Sequence, residues 1–296
     1  LEQMEADGQR ALTVRAEAAR LRAFILASVS HDLRVPLNGV LGRPFVWNSD
    51  SRSLLVNLIP SGRGGAPKAT ATPAGPVVQE NLGRRNVART YQDLLKTPHD
   101  EALVEYFATA ELAHVTLDGK ITPLAQGMMR GFLPSPNGEY VLVQFLKRPF
   151  SFAVPYQRFP LLTEIRDARE VDAGKVLKVL SDLGLAEDEE TDPDAVRKGP
   201  RQYSWRGDAP ATVTWITPIE GRRNGLGDIL HVLSEPFEGD GQPLFKSELR
   251  VQQVYWGRDD LALVVEGQRK ARRVLTWRVF PNDPGRSAVK LFDRSS

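Results

Sequence analysis

The sequence predicts a mainly β fold built from repeated antiparallel four-stranded units behind one long N-terminal α-helix. Three observations predict it. Ala6 to Leu33 has no proline, a single glycine and many Ala, Leu, Arg and Glu residues, a composition that favours helix. After Gly42 the chain turns to short apolar or alternating runs separated by Pro, Gly, Asn and Asp, the texture of strands and turns. One unit then recurs: FVWNSDSRSLLV (Phe45 to Val56), FLPSPNGEYVLV (Phe132 to Val143), YSWRGDAPATVTW (Tyr203 to Trp215) and VYWGRDDLALVV (Val254 to Val265).

The helix comes first in the chain. Leu26, Val29 and Leu33 form one stripe on it, and His31 sits roughly 160° round from Leu33, facing away from that stripe. Pro36 disfavours helical geometry at Val35, so a kink or an end is expected there.

Each repeat that follows is an aromatic or apolar lead, a polar turn with Asp or Asn, and a β-rich run. Physically this is a hairpin whose turn residues tolerate tight geometry and whose second strand packs one side inward. Trp205 and Trp256 are 51 residues apart, close to the roughly 40–50 residues of a four-stranded β-propeller blade. The expectation is a partial propeller, with insertions in the longer gaps between the earlier units.

The clearest insertion is Pro60 to Val87, rich in Gly, Pro, Ala and Thr and expected to be a mobile loop. Arg89 to Phe107 reads as a short helical patch, and Asp118-Gly119 as a hairpin turn. GLAEDEETDPDAV (Gly184 to Val196) reads as a solvated acidic loop, since acidic side chains alone define no ligand geometry. RRNGLGDIL, around Gly225 and Gly227, reads as a loop between strands.

Composition narrows the function classes. The chain has no cysteine, which removes disulfides, thiolate catalysis and cysteine-ligated zinc. The net charge is +2, and the basic clusters Arg84-Arg85, Arg222-Arg223 and Lys270 to Arg273 are short and lack an aromatic platform, so no nucleic-acid partner is expected. The first twenty residues are too charged for a signal peptide, and no run reaches the roughly 18 apolar residues of a membrane helix. The compartment is left open, and neither a cofactor nor a metal site is expected. His99, His114 and His231 read as loop, strand-face or surface residues.

Two resemblances are carried by different stretches. FILASVSHDLRVPLNGVLG (Phe24 to Gly42) resembles the H-box phosphoacceptor helix of sensor histidine kinases, with Ser30, His31, Asp32, Leu33, Arg34, Pro36 and Leu37 in the family's places. The resemblance implies that His31 takes a phosphoryl group, with Asp32 orienting the imidazole or accepting its proton. It also implies a kinase or response regulator as partner. Val35 stands where that family usually has Thr or Asn, which speaks against phosphatase activity, and no ATP-binding domain follows.

The remainder resembles the non-catalytic β-propeller of prolyl-oligopeptidase-family serine peptidases, in particular the glutamyl endopeptidase-like branch. The matching text is collinear: VLGRPFVWNSDSRSLLV, GPVVQE, ARTYQDLLKTPHDEALVEYFATAELAHVTLDGKITPL, RPFSFAVPYQRFP, DAVRKGPRQYSWRGDAPATVTW and ELRVQQVYWGRDDLALVVE. In such peptidases the propeller gates a separate α/β-hydrolase domain where a Ser-His-Asp triad performs acyl transfer. No G-x-S-x-G elbow occurs in this sequence.

The expected organisation is therefore an H-box helix over 1–42 and an incomplete propeller over 43–296, the two patterns meeting between Pro36 and Arg43. Such a junction implies a truncated or fused reading frame, or a natural fusion. The leading expectation is a non-catalytic module that gates or binds peptide, its partner a peptide substrate or a hydrolase domain. The alternative is a histidine kinase fragment with His31 as phosphoacceptor. Four units, against the seven or eight of the family, predict an open ring with exposed edges.

Overall fold

The computed structural model describes residues 41–69, 91, 94–187, 194–221, 226–258 and 260–295. The helix expected over Ala6 to Leu33, with His31 and Asp32, lies outside the described residues, as do residues 70–87 of the expected insertion.

What is described is mainly β: fifteen strands and, among the described residues, one α-helix. Every one of the four repeats is a hairpin, and each opens a four-stranded up-and-down unit. The first is β1 (Phe45–Trp47) and β2 (Ser53–Leu58), continued by β3 (Thr109–Thr116) and β4 (Ile121–Pro134). The second pairs the end of β4 with β5 (Tyr140–Leu146), β6 (Leu161–Asp167) and β7 (Val176–Leu183). The third is β8 (Arg201–Trp205), β9 (Thr212–Pro218), β10 (Asp228–Ser234) and β11 (Gln242–Lys246). The fourth is β12 (Arg250–Arg258), β13 (Leu261–Gln268), β14 (Arg273–Val279) and β15 (Val289–Ser295).

Local chemistry closes these hairpins. In the first turn the Asp50 carboxylate accepts the Arg52 backbone N–H at 2.8 Å, and Asn48 donates to the Ser53 hydroxyl at 2.9 Å. In the second, Gly138 takes a positive φ of 75° and the Ser135 hydroxyl accepts from Tyr140 N at 3.0 Å. The Asp118-Gly119 turn forms as expected between β3 and β4, with φ 87° at the glycine.

The expected separation into four blades is corrected at one place. β1 to β7 make one curled seven-stranded sheet, because β4 runs through both of the first two units. Its first part pairs with β3 as far as Met128, opposite Thr109, and its second part pairs with β5 from Met129, opposite Phe145. A register shift between Met129 and Gly131 marks the change of partner. The third and fourth units are separate four-stranded sheets.

Side-chain alternation then stacks the units. Val141, Val143 and Phe145 of β5 meet Leu55, Leu112 and Leu124 inside the curl of the large sheet. Tyr140 and Leu142, from the opposite face of the same strand, meet Trp205, Val213 and Trp215 of the third unit. Ile216 and Leu230 of the third unit meet Val251, Ala262 and Val264 of the fourth. Each fully buried large apolar side chain contributes about 1.5–3 kcal/mol. Polar ties cross the same seams: Trp205 Nε1 donates to the Leu133 carbonyl at 2.9 Å, and the Tyr140 hydroxyl to Glu235 at 2.8 Å.

Helix α1 (Pro98–Ala108) is shorter than the helical patch expected from Arg89. Its start is fixed by a capping box: Asp100 N donates to Thr97 Oγ1 at 3.2 Å, and Thr97 N donates to the Asp100 carboxylate at 2.9 Å. Pro98 supplies the first-turn geometry, and Leu94 to Lys96, just before Thr97, lie outside the helix. The described start of the insertion, residues 60–69, is irregular and tied to α1: Arg63 lies 4.8 Å over the Tyr106 ring, and the Tyr106 hydroxyl donates to the Gly64 carbonyl at 2.8 Å.

A charged groove beside helix α1, the candidate functional site

The long β5–β6 connection, residues 147–160, is where the fold departs most from short turns. Its apolar residues Phe150, Val154 and Phe159 are buried with Leu146 and Leu161, and the Phe150 and Phe159 rings stack at 5.2 Å. Arg197 holds the far end, donating to the carbonyls of Gln157 at 3.3 Å and Phe159 at 3.1 Å. A connection this long between strands is typically functional when it is ordered.

Next to it lies a groove of about 480 Å³ between α1 and strands β4 to β6. Its wall carries Glu105 from α1, Gln126 from β4, Lys147 and Arg148 at the end of β5, and Arg166 from β6, around the Phe145 ring. The narrowness at the floor has a plain cause: a Cβ on Gly127 would lie 2.8 Å from the Phe145 ring.

The three cations are held in place. Arg148 donates to Glu105 at 2.8 and 3.2 Å and to Glu101 at 3.0 Å, and its guanidinium lies 4.7 Å over Phe150. The Glu105 and Glu101 hydrogen bonds push its pKa further up, so it stays charged. Arg166 donates to Glu164 at 2.9 Å and to the Gly174 carbonyl at 3.0 Å, 5.5 Å from the Phe145 centroid. Lys147 pairs with Asp182 at 2.7 Å. Each of the three cations is thus paired with a carboxylate, Glu101 and Glu105 for Arg148, Glu164 for Arg166 and Asp182 for Lys147, and this pairing fixes the geometry of the groove in advance.

The histidines are placed as follows. His99 is in the first turn of α1, partly exposed. His114 is on β3, and burial lowers its pKa, opposed by the nearby charge of Asp50. His231 is on β10, stacked on Trp215 at 5.3 Å, with Nε2 2.8 Å from the Thr217 hydroxyl; burial lowers its pKa too. Among the described residues none of them joins a serine and a carboxylate into a relay, and no group of three His, Asp or Glu side chains could hold a metal. The two residues with an assigned role in the sequence, His31 and Asp32, fall outside the described residues, so the structure places neither.

Sequence reading missed several buried acids. Asp194, read as part of a solvated loop, is buried and its carboxylate accepts the backbone N–H of Arg269 at 2.7 Å and of Lys270 at 3.3 Å. Glu266 is fully buried, accepting from Leu249 N at 2.9 Å and Trp277 Nε1 at 2.6 Å, and burial raises its pKa. Asp228 joins the third and fourth units. Each acid sits in an ordinary strand or loop context, where nothing local signals the partner.

The architecture is that of stacked antiparallel four-stranded units, mainly β, with a groove lined by paired charges. The relatives give the class a more particular character. No family model matches the chain. It is 38% identical over 261 residues to the probable glutamyl endopeptidase, chloroplastic, of Oryza sativa subsp. japonica, covering 85% of this chain and 27% of that protein. It is 39% identical over 260 residues to the protein of the same name from Arabidopsis thaliana, covering 85% and 26%. The chain thus spans about a quarter of the length of these curated relatives.

Among solved structures, the oligogalacturonate lyase of Vibrio parahaemolyticus is 14% identical with a TM-score of 0.43, over 83% of this chain and 52% of that one. Prolyl oligopeptidase B of Galerina marginata is 9% identical with a TM-score of 0.42, over 84% and 27%. The sequence relatives mark this as a peptidase-related region, and neither name supports the H-box reading of Ser30 to Leu37.

Proposed function

We propose that this chain is the substrate-access region of a glutamyl-endopeptidase-like peptidase. In this reading the stacked units form a partial β-propeller that binds and admits peptide, and a separate α/β-hydrolase domain carries out acyl transfer. The observation that carries it is the 38% identity over 261 residues to a protein of which this chain covers 27%. The four stacked units and the groove beside α1 support it.

The mechanism assigned to this chain is binding and exclusion. An acidic peptide segment in the groove competes with Glu101, Glu105, Glu164 and Asp182 for Lys147, Arg148 and Arg166, and Phe145 supplies the apolar floor. The wall of stacked sheets keeps large folded chains away from the reaction. Charge-assisted contacts of this kind are each worth about 1.5–3 kcal/mol when made.

The test uses the native full-length protein and paired fluorogenic peptides that differ by one Glu or Gln. Lys147→Ala with Arg148→Ala should raise KM for the Glu peptide by about 5- to 20-fold, on the order of 1–2 kcal/mol, with KM for the Gln peptide little changed. Unchanged KM for both peptides would remove the groove from substrate binding. Peptide hydrolysis by this chain alone would remove the assignment of the chemistry to another domain.

A further inference from the structure

A second cavity lies at the seam of the third and fourth units, between β11 and the β14–β15 connection, well apart in the fold from the groove beside α1. It encloses about 350 Å³. Phe245, Trp277 and Phe280 line it together with the exposed Lys246, Asp283 and Arg286.

The aromatic wall is rigid. Phe245 and Phe280 are buried, and the Phe245 and Trp277 rings lie 5.8 Å apart. Trp277 is further fixed by its 2.6 Å hydrogen bond to buried Glu266. Arg286 is also held, its guanidinium 3.8 Å over the Phe280 ring.

The three charged side chains are not spent on one another. Among the described residues Lys246, Arg286 and the Asp283 carboxylate have no ion-pair partner, whereas Glu248, also on the rim, is engaged by Lys290 at 3.4 Å. A fixed guanidinium and an ammonium without a carboxylate, beside an unengaged acceptor and an apolar wall, ask for three things of a ligand: an anion, an N–H donor and an apolar side chain.

We propose that this cavity binds the C-terminal residue of a peptide ending in an apolar side chain. One terminal residue supplies all three features. Its α-carboxylate goes to Arg286 and Lys246, its backbone N–H donates to Asp283, and its side chain packs on Trp277 and Phe280. The volume, at the lower end of the roughly 300–1,000 Å³ of ligand pockets, suits one residue rather than a long segment. Peptide ends are read elsewhere by donors that converge on the terminal carboxylate, and here the two cations are the donors.

The experiment is calorimetric titration of this chain with acetyl-Ala-Ala-Phe bearing a free carboxylate, with its C-terminal amide, and with acetyl-Ala-Glu-Phe-amide. The free acid should bind at least tenfold more tightly than either amide. Lys246→Ala with Arg286→Ala should erase that preference while circular dichroism and Tm stay unchanged, since both side chains are exposed. Arg148→Ala, in the other groove, should retain it. Equal affinity for acid and amide, a preference for the glutamyl amide, acid binding that survives the double variant, or no binding up to millimolar peptide would each overturn the proposal. None of these outcomes depends on whether the groove beside α1 binds substrate.

Discussion

Asp228 and Arg250 form an ion pair of 2.9 Å that crosses from the third unit to the fourth. The Asp228 carboxylate is fully buried and also accepts from Arg201 at 2.6 Å and from Val251 N at 2.8 Å. One acid from β10 therefore fixes the start of β12 and closes the edge of β8. Asp228→Asn should leave two guanidinium groups without their counter-charge and cost about 3–5 kcal/mol. Thermal unfolding should show it as a drop in Tm of at least about 6 °C; a change under 2 °C would mean the triad is not load-sharing between the units.

Glu266 presents both carboxylate oxygens to N–H donors, from Leu249 and Trp277. Glu266→Gln keeps the shape of the side chain without an ionisable group and so serves as the reference for its titration. The pH dependence has a definite sign. Burial raises the folded pKa above the ordinary 4.5, so the proton is held more tightly in the folded state. The stabilising contribution is present below that value and is lost as pH rises through the folded pKa. Denaturant titrations should show the wild type's advantage over the Gln variant shrinking as pH rises from 4; an advantage that grows would contradict the assignment.

Tyr140 and Tyr203 both have their pKa raised from 10.0 to about 12. Burial is the first cause in each, joined at Tyr140 by its hydrogen bond to Glu235. Both phenols hold their protons more tightly when folded, so their contribution is whole below pH 10 and is lost as pH rises from 10 through 12. Absorbance titration of the wild type against Tyr140→Phe and Tyr203→Phe should assign to these two positions phenols that are still protonated at pH 11. Difference titrations that place either phenol's ionisation near pH 10 with the fold intact would refute this.

Arg148 ties α1 to the β5–β6 connection through Glu101 and Glu105, at a surface where side chains remain partly exposed. Exposed pairs contribute about 0–1 kcal/mol. Arg148→Ala should therefore leave global Tm nearly unchanged while amide exchange in α1 speeds up several-fold, and 1 M salt should mimic it in the wild type. A large global loss would show that the stacking on Phe150, rather than the charge, is what matters.

The four hairpins were legible because both their signals are local: turn residues that make their own hydrogen bonds, as Asp50 does, and strands whose faces alternate. The start of α1 is set by the Thr97–Asp100 capping box, a signal that composition alone does not carry. Asp194 looked like one more acid of a charged loop, since its partners at Arg269 and Lys270 are 75 residues away. The groove escaped notice for the same reason: Glu105, Gln126, Arg148 and Arg166 come from four elements, and their meeting is a property of the curl. The join within β4 carries no turn signal at all, because a bulge in a continuous strand changes partners without a break in pattern.

That shared strand sets where this chain can vary in length. The turns at 48–52 and 206–211 can take an extra residue with a local change of loop. One residue gained or lost between Ile121 and Met128 would invert the facing of the strand against β3 but leave its pairing with β5 intact, and a change after Gly131 would do the reverse. Either way one half of the large sheet would turn apolar residues outward, so β4 is a stretch in which descendants of this sequence can exchange residues but cannot change their number.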